Sequence, residues 1–339
     1  MVVLVTGGLG YIGSHTVVEL IEAGFTPIVV DNLSNSSEAV LDRIKTITGV
    51  KPKFYEKDLV SITDVEEIFE DFENVENKKI DSVIHFAALK AVGESVEKPL
   101  KYYCNNLVGT LNLLQVMKKH GVNDFVFSSS AAVYGKPEKN PILEDFPLQA
   151  VNPYGATKIM IEDMLRDMCK ADSSFNVAIL RYFNAVGAHK SGLIGDSPNG
   201  VPNNIMPYIA KVATRELEFL RVFGADYDTY DGTGVRDYIH VVDLAKGHMK
   251  ALERLRGDPG LMVVNLGTGV GYSVLDLVKA FEVASGVEIP YKVVGRRSGD
   301  IAMCYAASER AKSELGWEAR FGLEEMCEDS WRWEQRGGK

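Results

Sequence analysis

Cysteine is sparse in this chain of 339 residues: Cys104, Cys169, Cys304 and Cys327 lie far apart, with no Cys-x-x-Cys pair. That spacing excludes a disulfide scaffold and offers no His/Cys set of metal-binding pattern, so free thiols in a reducing compartment and no metal are expected. Long apolar runs are also missing, and none approaches the ~20 residues needed to span a bilayer. The opening MVVLVTGG has no basic stretch and runs straight into a strand pattern, unlike a signal peptide, so a cytoplasmic protein is expected. There is no low-complexity tract and no internal repeat. Positive charge is in deficit: 37 Lys and Arg against 47 Asp and Glu leave a formal net charge of −10. A diffuse negative excess attracts neither nucleic acid nor an anionic membrane surface. It leaves open a phosphorylated small molecule, which needs only one or two well-placed arginines.

What is present is ordinary for a globular protein, with 46% hydrophobic and 25% charged residues. Short β-branched runs over 2–5, 27–30, 53–55, 82–86, 124–128 and 177–182 alternate with helical patterns near 11–23, 38–48, 64–72, 98–120 and 154–169. This alternation predicts an α/β fold, a Rossmann-type doubly wound parallel sheet with helices on both faces. After Arg181 the alternation breaks down, and stretches 192–204 and 225–234 are rich in Gly, Pro, Asp and Asn. Residues 1–183 are therefore expected to form a dinucleotide-binding domain. Residues 184–339 are expected to form a smaller α+β substrate-binding lobe, interleaved with the first.

The segment VTGGLGYIG sets Gly7, Gly10 and Gly13 between a strand and a helix. Gly7 permits the tight turn, Gly10 the approach of a pyrophosphate, and Gly13 close helix–strand packing. The N–H groups and dipole of the helix then receive the phosphate charge. Asp31 ends the second strand, where a carboxylate accepts ribose hydroxyls and would repel a 2′-phosphate. No Lys or Arg occurs between Asn32 and Val40 to offset it, so NAD is favoured over NADP.

Tyr154 and Lys158 stand four apart at the start of a helix and share one face. A phenol of pKa near 10 is a poor base at neutral pH, and a neighbouring ammonium favours its ionised form. Taken alone, Tyr-x-x-x-Lys occurs often by chance and reads better as an amphipathic surface pair. Here it follows a dinucleotide turn and the cluster Ser128-Ser129-Ser130 at the carboxyl end of a strand, the edge at which such sheets bind ligands.

This order of glycine turn, serine cluster and Tyr-x-x-x-Lys resembles the extended short-chain dehydrogenase/reductase family, and within it the UDP-hexose 4-epimerases. The segments TGGLGYIGSHT, VVDNLSNS, HFAALKAVGES, YYCNNLVGTLNLL, FSSSAAVYG, NPYGATK, LRYFNAVGAH, PNNIMPYIAKVA, DGTGVRDYIHVVDLA and RSGD carry the resemblance from Thr6 to Asp300. It implies tightly bound NAD and reversible C4 epimerisation of UDP-galactose and UDP-glucose, in galactose metabolism, by a homodimer. It implies Tyr154 as acid/base, Lys158 as the residue that lowers its pKa, and Ser130 as a hydrogen-bond partner of the sugar. Around NAD it implies Gly7, Gly10, Tyr11, Ile12, Gly13, Asp31, Asn32, Asn35, Ser36, Asp58, Leu59, Phe86, Ala87, Lys90, Asn105 and Phe183, besides Tyr154 and Lys158. Around the nucleotide sugar it implies Asn184, Asn204, Phe223, Arg236, Tyr238, Arg297 and Asp300, besides Ser130 and Tyr154. Arg236 and Arg297 suit a diphosphate on physical grounds as well, since a guanidinium can clamp it with two charge-assisted bonds.

The departures narrow the reading. Related 4,6-dehydratases carry an acidic pair just after the serine or threonine, where this chain has Ala131 and Ala132. Cys304 stands where some bacterial epimerases place a tyrosine that narrows the sugar pocket. Read alone, Cys304 is equally a small buried apolar residue; with the resemblance, it implies room for an N-acetyl group and activity on UDP-GalNAc and UDP-GlcNAc. A sugar-nucleotide enzyme with net redox chemistry and a non-catalytic NAD-binding module remain the alternatives.

Overall fold

The protein is described by a computed structural model covering residues 1–198, 202, 204–257, 260–297 and 299–338. The first half alternates as its pattern requires: β1 (Val2–Thr6), α1 (Tyr11–Glu22), β2 (Thr26–Asp31), α2 (Ala39–Thr48), β3 (Lys53–Glu56), α3 (Ile62–Glu76) and β4 (Ser82–His85). There follow α4 (Val92–Glu97), α5 (Pro99–Tyr103), α6 (Gly109–His120), β5 (Asp124–Ser128), α7 (Pro153–Ala171) and β6 (Asn176–Tyr182). A π-helical segment, Cys104–Val108, joins α5 to α6, and a 3₁₀ turn, Ala131–Tyr134, follows β5. The 98–120 pattern is thus interrupted rather than a single α-helix.

The second half continues with β7 (Asn184–Val186), α8 (Ile205–Ala213), β8 (Leu220–Phe223), β9 (Val235–Arg236), β10 (Tyr238–His240), α9 (Val241–Leu255), β11 (Leu261–Leu266) and β12 (Tyr272–Ser273). It ends with α10 (Val274–Ser285), β13 (Tyr291–Val294), β14 (Met303–Cys304), α11 (Glu309–Leu315) and α12 (Leu323–Gln335).

Seven strands form one sheet in the order β11-β6-β5-β4-β1-β2-β3. The pairs from β3 to β6 are parallel, in registers such as Val5↔Val29 and Val5↔Ile84. The order reverses at β1 and β4, which marks the switch point where doubly wound sheets open a crevice at their carboxyl ends. Leu4, Ile28, Val83 and Phe125 on the strands pack against Val65, Phe69, Leu113 and Ile161 on the helices, all at most 1% exposed. The seventh strand, β11, was not foreseen. Its partner β6 lies about 80 positions away, and no local periodicity announces a pairing so distant.

The chain divides into two compact units. One comprises Met1–Gly135, Pro147–Arg181 and Ala245–Val264; the other comprises Lys136–Phe146, Tyr182–Leu244 and Asn265–Lys339. The second unit is α+β. It holds the parallel pair β10-β7, the parallel pair β13-β8 and the three-stranded β12-β9-β14. Its own core sets Val222, Leu277, Phe281 and Met326 together at 0–1% exposure. Residues 199–201 and 203, within the loop-like 192–204 stretch, lie outside the described residues. Among the described residues, no helix is long and apolar enough to cross a membrane.

Candidate active site

The glycine turn is built on contact distance. Gly7 has φ +66°, and a Cβ there would stand 2.8 Å from the Ala87 nitrogen. A Cβ on Gly13 would stand 2.2 Å from the Gly7 carbonyl oxygen, inside any real contact. Gly10 caps α1 without a side-chain hydrogen bond, and the first turn of that helix carries no acidic residue. The positive end of its dipole is therefore not offset by a carboxylate of its own first turn.

Asp31 closes the turn from the side. Its carboxylate accepts from Leu9 N at 3.1 Å, Leu33 N at 3.0 Å and Ser36 Oγ at 2.7 Å. Of the roughly four lone-pair positions of a carboxylate, about one is left for an external hydroxyl. Asn32 donates from Nδ2 to Asp58 Oδ2 at 3.2 Å, so two further expected residues meet beside it. Phe86 and Ala87 follow β4 directly, with Phe86 N donating to Thr6 O at 3.0 Å. Asn105 lies on the π segment and donates to Asn106 Oδ1 at 3.0 Å. Lys90 and Asn35 are exposed on loops, Leu59 is buried after β3, and Tyr11 and Ile12 open α1. A glycine cradle with no space for a Cβ at Gly7 or Gly13, a helix N-terminus without acidic side chains and an acid at the end of β2 together fit a dinucleotide diphosphate and its ribose.

Tyr154 and Lys158 lie on the first two turns of α7. Asn152 caps this helix by accepting from Gly155 N at 2.8 Å, and Pro153 occupies its first position. Tyr154 is 7% exposed and Lys158 3%. Lys158 Nζ donates to Ser128 O at 2.8 Å and stands 5.9 Å from the centre of the Tyr154 ring. Burial pulls the Lys158 ammonium down to about 7, with Glu162 one turn further on partly restoring it. Ser130 is extended and half-buried, and its Oγ accepts from Ala132 N at 3.2 Å. A Cβ on Gly155 would reach within 2.9 Å of Ala132 O, so this glycine lets the start of α7 close on the serine turn. The motif NPYGATK contained that signal.

Apart from Ser130 and Tyr154, the residues expected around a nucleotide sugar lie in the second unit. Arg236 on β9 faces Asp300 at 3.4 Å (Nη2 to Oδ1) and is in register with Cys304 on β14. Arg297 lays its guanidinium 3.8 Å from the centre of the Phe223 ring. Asn184 pairs in register with Tyr238, and Asn204 caps α8 without a side-chain bond to it. Tyr238 is 1% exposed within the second core, and Phe183 is also buried. The Cys304 thiol is pushed up to about 11 by burial and stays a neutral, small side chain.

Asp237, between Arg236 and Tyr238, is a hub that no local pattern in the sequence marks. Fully buried, it accepts from Thr268 N (2.8 Å), Thr268 Oγ1 (2.7 Å), Gly269 N (3.0 Å) and Ala306 N (3.1 Å). Its backbone bonds Cys304 O and Asn184 N, both at 3.0 Å. The carboxylate of Asp237 thereby anchors the 268–269 turn and Ala306, while its backbone joins Cys304 and Asn184 next to Arg236.

Comparison with known proteins follows this geometry. The family model described as GDP-mannose 4,6 dehydratase matches residues 4–330. The chain is 61% identical to the UDP-glucose 4-epimerase of Bacillus subtilis (strain 168) over 334 residues, 98% of this chain and 97% of that protein. The crystal structure of UDP-glucose-4-epimerase from Stenotrophomonas maltophila with bound NAD and formylated UDP-arabinopyranose superposes with TM-score 0.96 at 48% identity, covering 100% of this chain and 99% of the other. The UDP-glucose 4-epimerase from Bifidobacterium longum in complex with NAD+ and UDP gives TM-score 0.94 at 51% identity, with coverage of 100% and 99%.

Proposed function

The chain belongs to the UDP-glucose 4-epimerase family of the extended short-chain dehydrogenases/reductases, and from that membership we propose how its own residues carry the reaction. It is an NAD-dependent enzyme that epimerises UDP-hexoses at C4. NAD, when bound, supplies the reversible hydride acceptor at the sugar C4. The turn from Gly7 to Gly13, with Asp31, holds it tightly enough to stay with the protein through each turnover.

Tyr154 takes the proton of the sugar 4-hydroxyl and returns it. The observation that carries this reading is the burial of Tyr154 and Lys158 together, with the ammonium 5.9 Å from the phenol ring. A cation held near pH 7 by lack of solvent gains more from an adjacent phenolate than one in water would. Ser130 hydrogen-bonds the reacting oxygen. Arg236 and Arg297 grip the diphosphate while the keto sugar turns its opposite face, because contacts far from C4 remain uniform through the reaction. Ala131 and Ala132 cannot protonate a leaving 6-hydroxyl, so elimination of the dehydratase kind is not supported.

Cys304 supports a second substrate. Beside Arg236 it leaves more room than a tyrosine would, which suits the N-acetyl group of UDP-GalNAc and UDP-GlcNAc. Exposed apolar side chains on neighbouring helices support a homodimer: Val96 on α4 (62%), Leu100 on α5 (76%), Leu111 on α6 (40%) and Met160 on α7 (44%). One assay tests the reading. Purified protein without added NAD is incubated with UDP-galactose, or with UDP-GalNAc at matched concentration, and the C4 epimer is measured. Epimer formation without accumulating NADH is expected with both. Stoichiometric NADH would instead indicate a dehydrogenase, and turnover of UDP-galactose alone would remove the role given to Cys304.

A further inference from the structure

Two charged side chains that this reaction does not use are fully buried beside it. Arg181 on β6 is 1% exposed and Glu162 on α7 is 0%. Burying an ion pair brings little net stability, because removing both charges from water costs about as much as their attraction returns. What the pair holds is therefore informative. Glu162 Oε1 accepts from Arg181 Nε at 3.0 Å and from Ser129 Oγ at 2.7 Å, and Arg181 Nη2 donates to Glu162 Oε2 at 2.5 Å. Arg181 Nη1 donates to the Tyr134 hydroxyl at 3.0 Å, with the guanidinium 5.0 Å from that ring's centre. Ser129 immediately precedes Ser130, and Tyr134 ends the 3₁₀ turn that Ser130 caps. Ser129 N also donates to Leu180 O at 2.8 Å, beside Arg181. The turn that carries Ser130 is thus tied at both ends to one charge pair. The acid of that pair, Glu162, is mounted on α7, one turn beyond Lys158 and two beyond Tyr154.

We infer that Glu162 and Arg181 are positioning residues that hold the Ser130 turn, through Ser129 and Tyr134, at a set distance from Tyr154 and Lys158. The inference rests on the proposed roles of those three residues. Neither Glu162 nor Arg181 reaches a reacting atom; they act by denying the turn the freedom to drift. Small displacements of a group that contacts the reacting centre are costly to rate, while binding made elsewhere on the substrate is spared.

Glu162→Gln would strand a buried guanidinium and endanger folding, so the test cuts the tethers instead. Ser129→Ala and Tyr134→Phe each remove one hydroxyl and leave the charge pair whole. In the full-length protein holding its NAD, each is expected to lower kcat for UDP-galactose roughly 10- to 100-fold, with KM within about 2-fold of wild type. Amide hydrogen exchange over residues 130–134 is expected to quicken while the rest of the sheet stays protected. Phe72→Leu, on the buried face of α3, serves as a control for loss of stability alone. Wild-type kcat in both variants overturns the inference, as does a loss of kcat no larger than the control's or unchanged exchange over 130–134. Failure of the wild-type protein itself to convert UDP-galactose would count against the proposed function, and the exchange measurement would still decide whether the tethers hold the turn.

Discussion

Lys158 is a cation placed where water does not reach it, and its environment sets how the site responds to pH. Its folded value lies near 7, below the 10.5 of the free side chain, because burial penalises the charged form. Between those two values the unfolded chain keeps a proton that the folded chain has released, so stability rises with pH through that window. Below about 7 both states are protonated and the whole penalty remains. Lys158→Met, which keeps the bulk and removes the charge, is therefore expected to melt above wild type at about pH 6, both proteins being free of nucleotide. The margin should shrink as pH rises towards 10.5; a margin that is flat or widens in calorimetry would sink this account of the lysine. His85 follows the same physics. Buried between Thr6 Oγ1 and Thr110 Oγ1 at 2.7 and 2.9 Å, and near the Lys158 charge, it is held down to about 3 and stays neutral. Tyr154, Lys158 and Ser130 were readable as candidates because spacing along one helix and position at a strand end are local properties. Glu162, Arg181 and Asp237 were not. A carboxylate in a helical run reads as a solvated face until tertiary packing removes the solvent.

Helix α1 and its glycine turn show how an element's function depends on absent atoms. The 2.2 Å approach of a Cβ at position 13 to Gly7 O leaves no rotamer to relieve it, so α1 would have to withdraw from β1. Gly13→Ala is expected to cost about 1–3 kcal/mol of stability by overpacking. It should also yield purified protein without bound NAD, measured by release on denaturation. A variant that keeps stoichiometric NAD would show that the close approach is dispensable. Elements at this scale were legible where the pattern was local: six of the seven sheet strands followed from β-branched runs bounded by turns, and α3 begins at Ile62 because Ser61 caps it, accepting from Asp64 N at 3.3 Å. The π segment Cys104–Val108 and strand β11 escaped. The first shares helical periodicity with its flanks, and the second gains its identity only from the edge of β6 that it covers.

The molecule as a whole divides into two units, and the chain passes between them five times without a linker of distinct composition. Helices α4 and α5 pack on α7, the helix of Tyr154, and large apolar side chains there remain open to solvent. Exposed apolar side chains grouped on packed helices suit an interaction site, and a second copy of the chain is the proposed occupant. Leu100→Glu combined with Met160→Glu is expected to shift the protein from dimer to monomer in sedimentation velocity while NAD stays bound. A dimer that survives both charges would place the interface elsewhere.

The amino-acid sequence by itself determined the sheet-and-helix alternation, the glycine turn, the acid that ends β2 and the Ser-Tyr-Lys candidates. Each depends on residues near one another in the chain, whose spacing fixes their geometry once a strand or helix forms. Only the tertiary structure decided which charges lose their water. Burial made Lys158 a weakly held cation, turned Asp237 into the anchor of distant segments of the second unit, and joined Glu162 to Arg181 beneath the serine turn. Desolvation is a property of everything packed around a side chain, and most of what packs around these lies far away in the chain.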